Sequence, residues 1–453
     1  MAKSREIVEP QANNEAVSAG RGDDFANDPM TLPAQQDSSA LKAALKPPES
    51  HVSSIPNGGL RAWLQVPGSF FLVFNTWGIV NSFGVFQTYY SLHLLSDHTP
   101  SQISWIGSTQ AFLLLLLGVV TGPLFDAGYF YPLLWTGSFL CTFGMMMTSI
   151  STAYWHFILA QGICVGVGAG CLLIPSVALI PSYFTTKKAI AQGFAASGSS
   201  VGGIVFPIVF ERLQPRIGFP WTVRVFGFIM VATLSLSLAI MRVRVPPGKL
   251  RKLLDFAAFR DISYVFFTAA MFFGFMGIYV PFFYLPLYCL TIPGFPTSLA
   301  FYIIAIVNAS STFGRILPNR LADKIGPLNV MVPCVAVATI LVWCWIPDNG
   351  VGGVVTFGVL YGFFSGCFIS LPPTALVTLS PSLDVIGARM GMVFTISGFG
   401  LLIGNPVAGA ILNPDGGSFL GLQIWCGVTV TTSLLCLCVA RIAKSGLSFT
   451  KII

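Results

Sequence analysis

The sequence predicts an all-α membrane protein with twelve transmembrane helices in two six-helix pseudo-repeats. Three observations lead to this fold class: the composition, the spacing of apolar segments and the distribution of basic residues. Of the 453 residues, 54% are hydrophobic and 9% are charged, whereas a soluble domain carries roughly 25% charged residues. A soluble surface made from this composition would expose large apolar patches, so lipid must surround most of the chain.

Apolar runs of about 20 residues mark the predicted spans, because a helix rising 1.5 Å per residue needs that length to cross a hydrocarbon core about 30 Å thick. The N-terminal half, residues 60–241, contains six runs, at 64–89, 103–125, 130–151, 155–180, 189–210 and 220–241. The C-terminal half, residues 262–440, contains six more, at 262–286, 298–317, 328–346, 352–378, 389–411 and 420–440.

Three segments lie outside the predicted spans. Residues 1–59 are polar and have no apolar core, so a disordered cytosolic tail is expected rather than a signal peptide. Residues 242–261 form a basic cytosolic connector suited to an anionic leaflet, and residues 441–453 form a cytosolic tail. The expected partners are the bilayer and a small-molecule substrate, with no nucleic acid and no obligatory protein partner.

The basic residues predict the orientation. With the N-terminus in the cytosol, 20 of the 24 Lys and Arg residues fall on the cytosolic side. Three fall outside, Arg212, Arg216 and Arg224, and Arg315 lies within a span. Since cytosolic loops are enriched in Lys and Arg, both termini are expected in the cytosol of a multi-pass protein, with the plasma membrane as its location.

An internal repeat supports two homologous halves. Asp126 corresponds to Asp323 at an offset of 197 residues, and Gly170 corresponds to Gly366 at an offset of 196. Each pair occupies the same place in a six-helix count. Duplicated halves that move about a site near the bilayer midplane are typical of alternating-access transporters.

Two loop sequences resemble a known family. Gly122-Pro-Leu-Phe-Asp126-Ala-Gly128 follows the second span, and Leu321-Ala-Asp323-Lys324-Ile-Gly326 follows the eighth. Both resemble the Gly-x-x-x-Asp loop motif of the major facilitator superfamily. The resemblance implies the major facilitator fold, with Asp126, Asp323 and Arg320 in gating loops.

Three further segments resemble one family within that superfamily. Asn57-Gly-Gly-Leu-Arg-Ala-Trp63, Ile103-Ser-Trp-Ile106 and Gly218-Phe-Pro-Trp-Thr-Val-Arg224 are similar to the monocarboxylate porter family, most closely to its filamentous-fungal members. The resemblance covers residues 57–445. It implies a secondary transporter but does not assign the substrate.

The sequence departs from this family at the residues that carry lactate transport. Characterised animal carriers use a lysine in the first span and an Asp/Arg pair, one turn apart, in the eighth. Here the first predicted span contains no charge, and Ser311 stands one turn before Arg315 where the aspartate would be. The lysine and aspartate roles are therefore not carried over, and a substrate other than a small monocarboxylate is favoured.

Arg315 is the leading candidate for substrate binding. A charge at the bilayer centre costs at least ~2.5–3.5 kcal/mol on insertion scales, so such a residue is a functional candidate by default. Its guanidinium can hold a carboxylate or enolate through two hydrogen bonds, and Ser311 lies on the same helix face. The alternative is that Arg315 lies at the cytosolic end, snorkels to water and joins Arg320 and Asp323 in gating.

Polar side chains that interrupt apolar spans are candidates for a cavity wall: Asn75, Asn81, Gln161, Tyr279, Asn308, Tyr361 and Asn405. In related transporters the first, fourth, seventh and tenth spans line the cavity, which favours Asn75, Asn81, Gln161, Tyr279 and Tyr361. Each can instead bond to a neighbouring helix. Aromatic residues around Tyr279 in the seventh span suit a flat aromatic substrate, or else form an interfacial belt.

Two glycine-rich strings have simpler interpretations. Gly166-Val-Gly168-Ala-Gly170 lies mid-span without a preceding strand, so it is expected to be a helix-packing face and not part of a dinucleotide-binding loop. Gly198-Ser-Ser-Val-Gly202-Gly203 resembles the glycine motif of drug/proton antiporters, with Ser199 in place of its proline. The second string is weak support for export.

No catalytic, nucleotide-binding or metal-binding motif occurs in the sequence, so no enzyme activity, cofactor or metal is expected. The predicted function is secondary transport of a small organic acid or a weakly acidic, aromatic metabolite, with efflux of a fungal secondary metabolite favoured. The alternative is proton-linked uptake of monocarboxylates or another small nutrient. A non-transporting nutrient sensor is a remote alternative, since the connector and tail are short. Proton coupling stays open, because the candidate titratable groups lie only at span edges: Glu211, Asp261 and His156.

Overall fold

The predicted N-terminal tail lies almost entirely outside the residues that the structure describes, as do the middle of the connector and the end of the C-terminal tail. The computed structural model describes residues 58–184, 188–244, 254–347, 350–381, 385–412 and 418–446. These residues belong to one unit, Ile55–Ile453. Hydrogen-bonded helices account for most of them, as expected where no water is available to the backbone.

The described part of the N-terminal half contains five long helices. They are α1 (Leu60–Leu94), α2 (Pro100–Asp126), α3 (Phe130–Thr148), α4 (Tyr154–Ser182) and α5 (Lys188–Ile240). Helix α5 contains two predicted spans, 189–210 and 220–241, on either side of Gly218. The φ of Gly218 is 74°, a left-handed conformation that costs glycine little, so the chain kinks there without a long loop.

The described part of the C-terminal half contains six long helices. They are α6 (Ile262–Thr291), α7 (Thr297–Ile325), α8 (Pro327–Cys344), α9 (Val351–Leu379), α10 (Ile386–Ile411) and α11 (Leu420–Ser445). A short 3₁₀ turn, Phe256–Arg260, precedes α6.

The gating residues do not lie in loops, so that part of the prediction is wrong. Helix α7 continues beyond the predicted span end at residue 317, and Arg320 and Asp323 lie in its last two turns. Asp126 is the last residue of α2. Hydropathy marks where lipid contact ends, whereas a helix continues until a terminator, which for α7 is Gly326 with a φ of 96°.

The all-helical membrane fold is confirmed for the described residues. Ten helical segments there are long and apolar enough to cross a membrane, and no β-strand is present among them. The 19-residue helix α3 is not one of the ten, although it coincides with the third predicted span. Helix α5 counts once among the ten and contains two predicted spans.

Glycines bring helices into close contact in both halves. A Cβ added to Gly170 of α4 would lie 2.6 Å from the Cβ of Leu117 on α2. A Cβ added to Gly366 of α9 would lie 2.7 Å from the carbonyl oxygen of Ser311 on α7. The predicted packing role of the glycine string that ends at Gly170 is therefore confirmed, and the equivalent glycine makes the equivalent contact in the second half.

Among the described residues, the two halves meet mainly along three helix pairs, α1 with α6, α2 with α10, and α5 with α7. Where α1 ends and α2 begins, the contact is tight, and we call this side the α1–α2 face. There Gly84 packs directly against the carbonyl oxygen of Phe282. The Ser101 hydroxyl donates to the carbonyl oxygen of Pro406 at 2.7 Å, and the Tyr284 hydroxyl reaches the carbonyl oxygen of Asn405 at 3.0 Å.

Candidate functional site

Arg315 lies at the contact between α7 and α5, and its side chain is buried, with 5% exposure. Its Nε donates to the Ser311 hydroxyl at 3.3 Å, one turn earlier on α7. Its Nη1 donates across the interface between the halves to the Ser199 hydroxyl on α5, at 2.6 Å. Its Nη2 is buried and has no hydrogen-bond partner among the described residues. The guanidinium thus bridges both halves, and one of its nitrogens has no protein partner among the described residues.

Two predicted polar residues surround the same point. The Tyr279 hydroxyl on α6 donates to Asn81 Oδ1 on α1 at 3.5 Å, and Asn81 Nδ2 donates to the carbonyl oxygen of Ser199 at 3.4 Å. Both side chains are fully buried. Four helices, α1, α5, α6 and α7, therefore converge on the segment that holds Arg315.

Asn308 lies one turn before Ser311 on α7 and faces α5. Its Nδ2 donates to the carbonyl oxygen of Ile304 at 2.9 Å, while its Oδ1 is buried without a hydrogen-bond partner among the described residues. Gly203 of α5 packs against this carboxamide, and a Cβ there would collide with it. An unsatisfied acceptor therefore lies two turns from the unsatisfied donor of Arg315.

Aromatic rings line the site from α1 and α6. The ring of Trp77 stacks on that of Tyr279, with the centroids 6.2 Å apart and the planes 27° apart. The ring of Phe275 stacks on the same tyrosine at 6.0 Å and 21°. Tyr279 is fully buried, whereas Trp77 is half-buried. A flat apolar wall therefore lies beside the buried positive charge.

Three predicted cavity residues make other contacts. Asn75 donates to the Thr233 hydroxyl at 2.8 Å, which joins α1 to the end of α5. Gln161 accepts from the Tyr90 hydroxyl at 2.7 Å within the N-terminal half. The Tyr361 hydroxyl donates to a backbone carbonyl on α6 at 2.7 Å, beside Tyr279. Asn75 and Gln161 therefore bond to neighbouring helices, which is the alternative to lining a cavity. Tyr361 contacts α6 next to Tyr279.

Asn405 and the gating residues also lie away from Arg315. Asn405 Nδ2 lies 3.5 Å from the Ser108 hydroxyl, between α10 and α2. Arg320 and Asp323 are exposed at the end of α7, and Asp126 is half-buried at the end of α2. The polar residues of the sequence therefore form several separate inter-helix contacts, and Arg315 is at the centre of one.

Two site residues escaped the sequence prediction. Ser199, the neutral partner of Arg315, appeared only as a departure from a glycine motif. Trp77 lies one turn before Asn81 and was not identified as part of the site. The spacing of Trp77 and Asn81 is a signal that places both on one face of α1. Nothing local in the sequence indicates that Ser199 faces α7.

Two carboxylates in the described part of the chain pair with Arg389 on α10, away from Arg315. Arg389 Nε lies 2.9 Å from Asp255 Oδ2, and its Nη1 lies 4.0 Å from Asp261 Oδ2. This ion pair fixes the end of the connector to α10. No ion pair with a carboxylate is present at Arg315 among the described residues. The site therefore carries an uncompensated positive charge.

Comparison with known proteins agrees with this architecture. A family model described as Major Facilitator Superfamily matches residues 67–351. The structure superposes on the crystal structure of nucleoside transporter NupG with a TM-score of 0.64 at 15% identity, over 84% of this chain and 99% of that chain. It superposes on peptide transporter POT with a TM-score of 0.66 at 13% identity, over 86% and 97%. These similarities support the fold.

Fungal proteins are similar in sequence over most of their length. MFS-type transporter dbaD of Emericella nidulans is 47% identical over 85% of this chain and 87% of its own. Aspyridones efflux protein apdF of the same organism is 43% identical over 86% and 80%. Agnestins efflux protein AgnL12 of Paecilomyces divaricatus is 37% identical over 90% and 93%.

The fold and these similarities define a multi-pass membrane transporter, a class of protein that is not an enzyme. The chain belongs to the Major Facilitator Superfamily.

Proposed function

We propose that this protein exports a weakly acidic, flat aromatic metabolite across the plasma membrane, and that the substrate anion binds at Arg315. The observation that carries the proposal is the buried guanidinium at the junction of the halves, with Nη2 unpartnered and no carboxylate paired to it in the described chain. Burying an unpaired charge is expensive, so its retention favours a ligand that supplies the opposite charge.

The geometry favours a carboxylate or enolate over a neutral ligand. Two hydrogens on one guanidinium nitrogen suit an oxyanion, and hydrogen bonds to an ionised group are the strong ones. The stacked rings of Trp77 and Tyr279 offer a flat surface beside the charge. A flat aromatic acid or enol satisfies both features, whereas lactate satisfies only the first.

The topology that we propose has twelve spans with both termini in the cytosol. The ten candidate spans become twelve when α3 is added and α5 is divided at Gly218. The excess of Lys and Arg on one side orients the chain. In this orientation the α1–α2 face is extracellular, and the ends of α2 and α7, with Asp126, Arg320 and Asp323, form the cytosolic gate.

Export is supported by the names of two relatives, which are efflux proteins for aspyridones and for agnestins. Uptake of a monocarboxylate or other nutrient is the second candidate, favoured by the segments similar to the monocarboxylate porter family. The missing lysine and aspartate of that family favour a substrate other than a small monocarboxylate.

The test compares metabolites in cells and medium of the native host with and without this gene. A compound that accumulates in the deletion strain and falls in its medium identifies the exported substrate. A compound left unconsumed in the medium establishes uptake and overturns export. Complementation with Arg315→Gln must fail to restore the wild-type profile, whereas Arg216→Gln, a change at an exposed arginine, must restore it.

A further inference from the structure

We infer that the protein moves its substrate as a net anion, driven by the membrane potential, without exchanging a proton. This inference rests on the proposed function and concerns how transport at that site is energised. It follows from the groups that surround Arg315 and from the empty site's own charge.

Every described helix that packs around Arg315 presents a neutral group. Helix α5 contributes the Ser199 hydroxyl, α1 the Asn81 carboxamide and α6 the Tyr279 hydroxyl. On its own helix the neighbour is Ser311, and α9 packs its backbone against the adjacent residue, Gly314. Among the described residues, no aspartate, glutamate or histidine contacts the guanidinium.

The carboxylates on α7 and α5 lie far from the guanidinium along their helices. Asp323 lies eight residues after Arg315 on α7, which is about 12 Å along a helix. Glu211 lies twelve residues after Ser199 on α5, which is about 18 Å along a helix. It is half-buried and lies next to Arg212, three residues before Gln214, whose side chain donates to the Tyr89 hydroxyl near the end of α1. A proton bound there has no hydrogen-bonded connection, among the described residues, to the substrate at Arg315.

The net charge moved in one transport cycle follows from these neutral surroundings. The guanidinium stays protonated at all physiological pH values, so loading the site neither releases nor binds a proton. With a monovalent anion bound, the site is neutral, and after release it carries one positive charge. One cycle therefore carries one negative charge outward, because the empty, positive site returns inward. The inside-negative potential favours that return.

The potential is large enough to drive export. At 100 mV, inside negative, one elementary charge sustains about a 50-fold excess of a monovalent anion outside. Proton antiport makes a different demand, because it needs a titratable group that exchanges its proton as the substrate enters or leaves. The neutral surroundings of Arg315 favour potential-driven export over proton antiport.

The experiment uses the full-length protein in liposomes, with naphthalenesulfonate as a permanently ionised aromatic probe. Binding comes first, by quenching of tryptophan fluorescence in wild type and Arg315→Gln. The probe is then loaded into the vesicles. Its release is measured under a potassium–valinomycin potential at equal pH, and under a pH gradient with the potential clamped at zero.

The expected result is Arg315-dependent release that an inside-negative potential accelerates and a pH gradient leaves unchanged, in wild type and in Glu211→Gln alike. Two outcomes overturn the inference but leave the anion site intact. One is Arg315-dependent release that the pH gradient drives and the potential does not. The other is loss of potential-driven release in Glu211→Gln. Absence of Arg315-dependent binding overturns the anion site itself, and the inference with it.

Discussion

Replacing Arg315 with glutamine tests the proposed anion site directly. Nη2 offers two hydrogens without a protein partner in the described chain, and each hydrogen bond to an ionised group contributes about 1.5–3 kcal/mol. Loss of two such bonds amounts to about 3–6 kcal/mol, or at least about a 100-fold weaker affinity. Arg315→Lys keeps the charge but not the planar pair of donors, so a loss of about 10- to 100-fold is expected.

The assay is titration of the purified protein with naphthalenesulfonate, followed by tryptophan fluorescence. Arg216→Gln is the matched control, since Arg216 is exposed and its loss also removes one positive charge. Size-exclusion profiles and membrane arrival must match the wild type for all three variants. An affinity of Arg315→Gln within about threefold of the wild type would refute the role of Arg315, because it would show that the free nitrogen binds no anion.

Three further changes have defined outcomes. Ser199→Ala removes the acceptor at 2.6 Å from Arg315, so we expect a loss of about 1.5–3 kcal/mol of stability and a lower melting temperature. Ser199→Thr keeps a hydroxyl and should largely keep the wild-type melting temperature. Equal melting temperatures for Ser199→Ala and wild type would contradict this expectation. The Tyr284 hydroxyl reaches the carbonyl oxygens of Asn405 on α10 and Pro100 at the start of α2. Tyr284→Phe removes this donor, so amide exchange at the start of α2 should rise about two- to tenfold; unchanged exchange would show that these hydrogen bonds do not hold the halves together at the α1–α2 face. Gly84→Ala forces a Cβ onto a carbonyl oxygen of α6 and should lower stability by about 1–3 kcal/mol. Gly193→Ala is the control, because nothing lies within 4 Å of a Cβ there, and it should not lower stability. Equal stability of the two variants would show that the halves are not in close contact at Gly84.

Much of the fold could be predicted from local sequence. The apolar runs predict spans at 389–411 and 155–180, and the structure has α10 at Ile386–Ile411 and α4 at Tyr154–Ser182. Hydropathy is a property of consecutive residues, so a window of twenty carries the whole signal. The same reasoning identified Arg315, because a charge within an apolar run needs no partner in the sequence to be noticed.

The sequence does not show which partner each buried polar residue contacts. Asn75 and Asn81 lie on the same helix and looked equally suited to a cavity, yet Asn75 bonds to Thr233 and only Asn81 reaches the site. Hydropathy places a residue within the membrane but leaves the rotation of its helix undetermined. Packing against neighbouring helices determines that rotation.

The sequence by itself determined that this is a helical membrane protein and that one arginine lies within its apolar core. Only the tertiary structure decided that Ser199, 116 residues away, is the partner of Arg315 and that the second guanidinium nitrogen is left free in the described chain. The physical reason is that burial in lipid is set residue by residue. The pairing of buried polar groups depends instead on which helix faces which, and that is settled only when all the helices have packed.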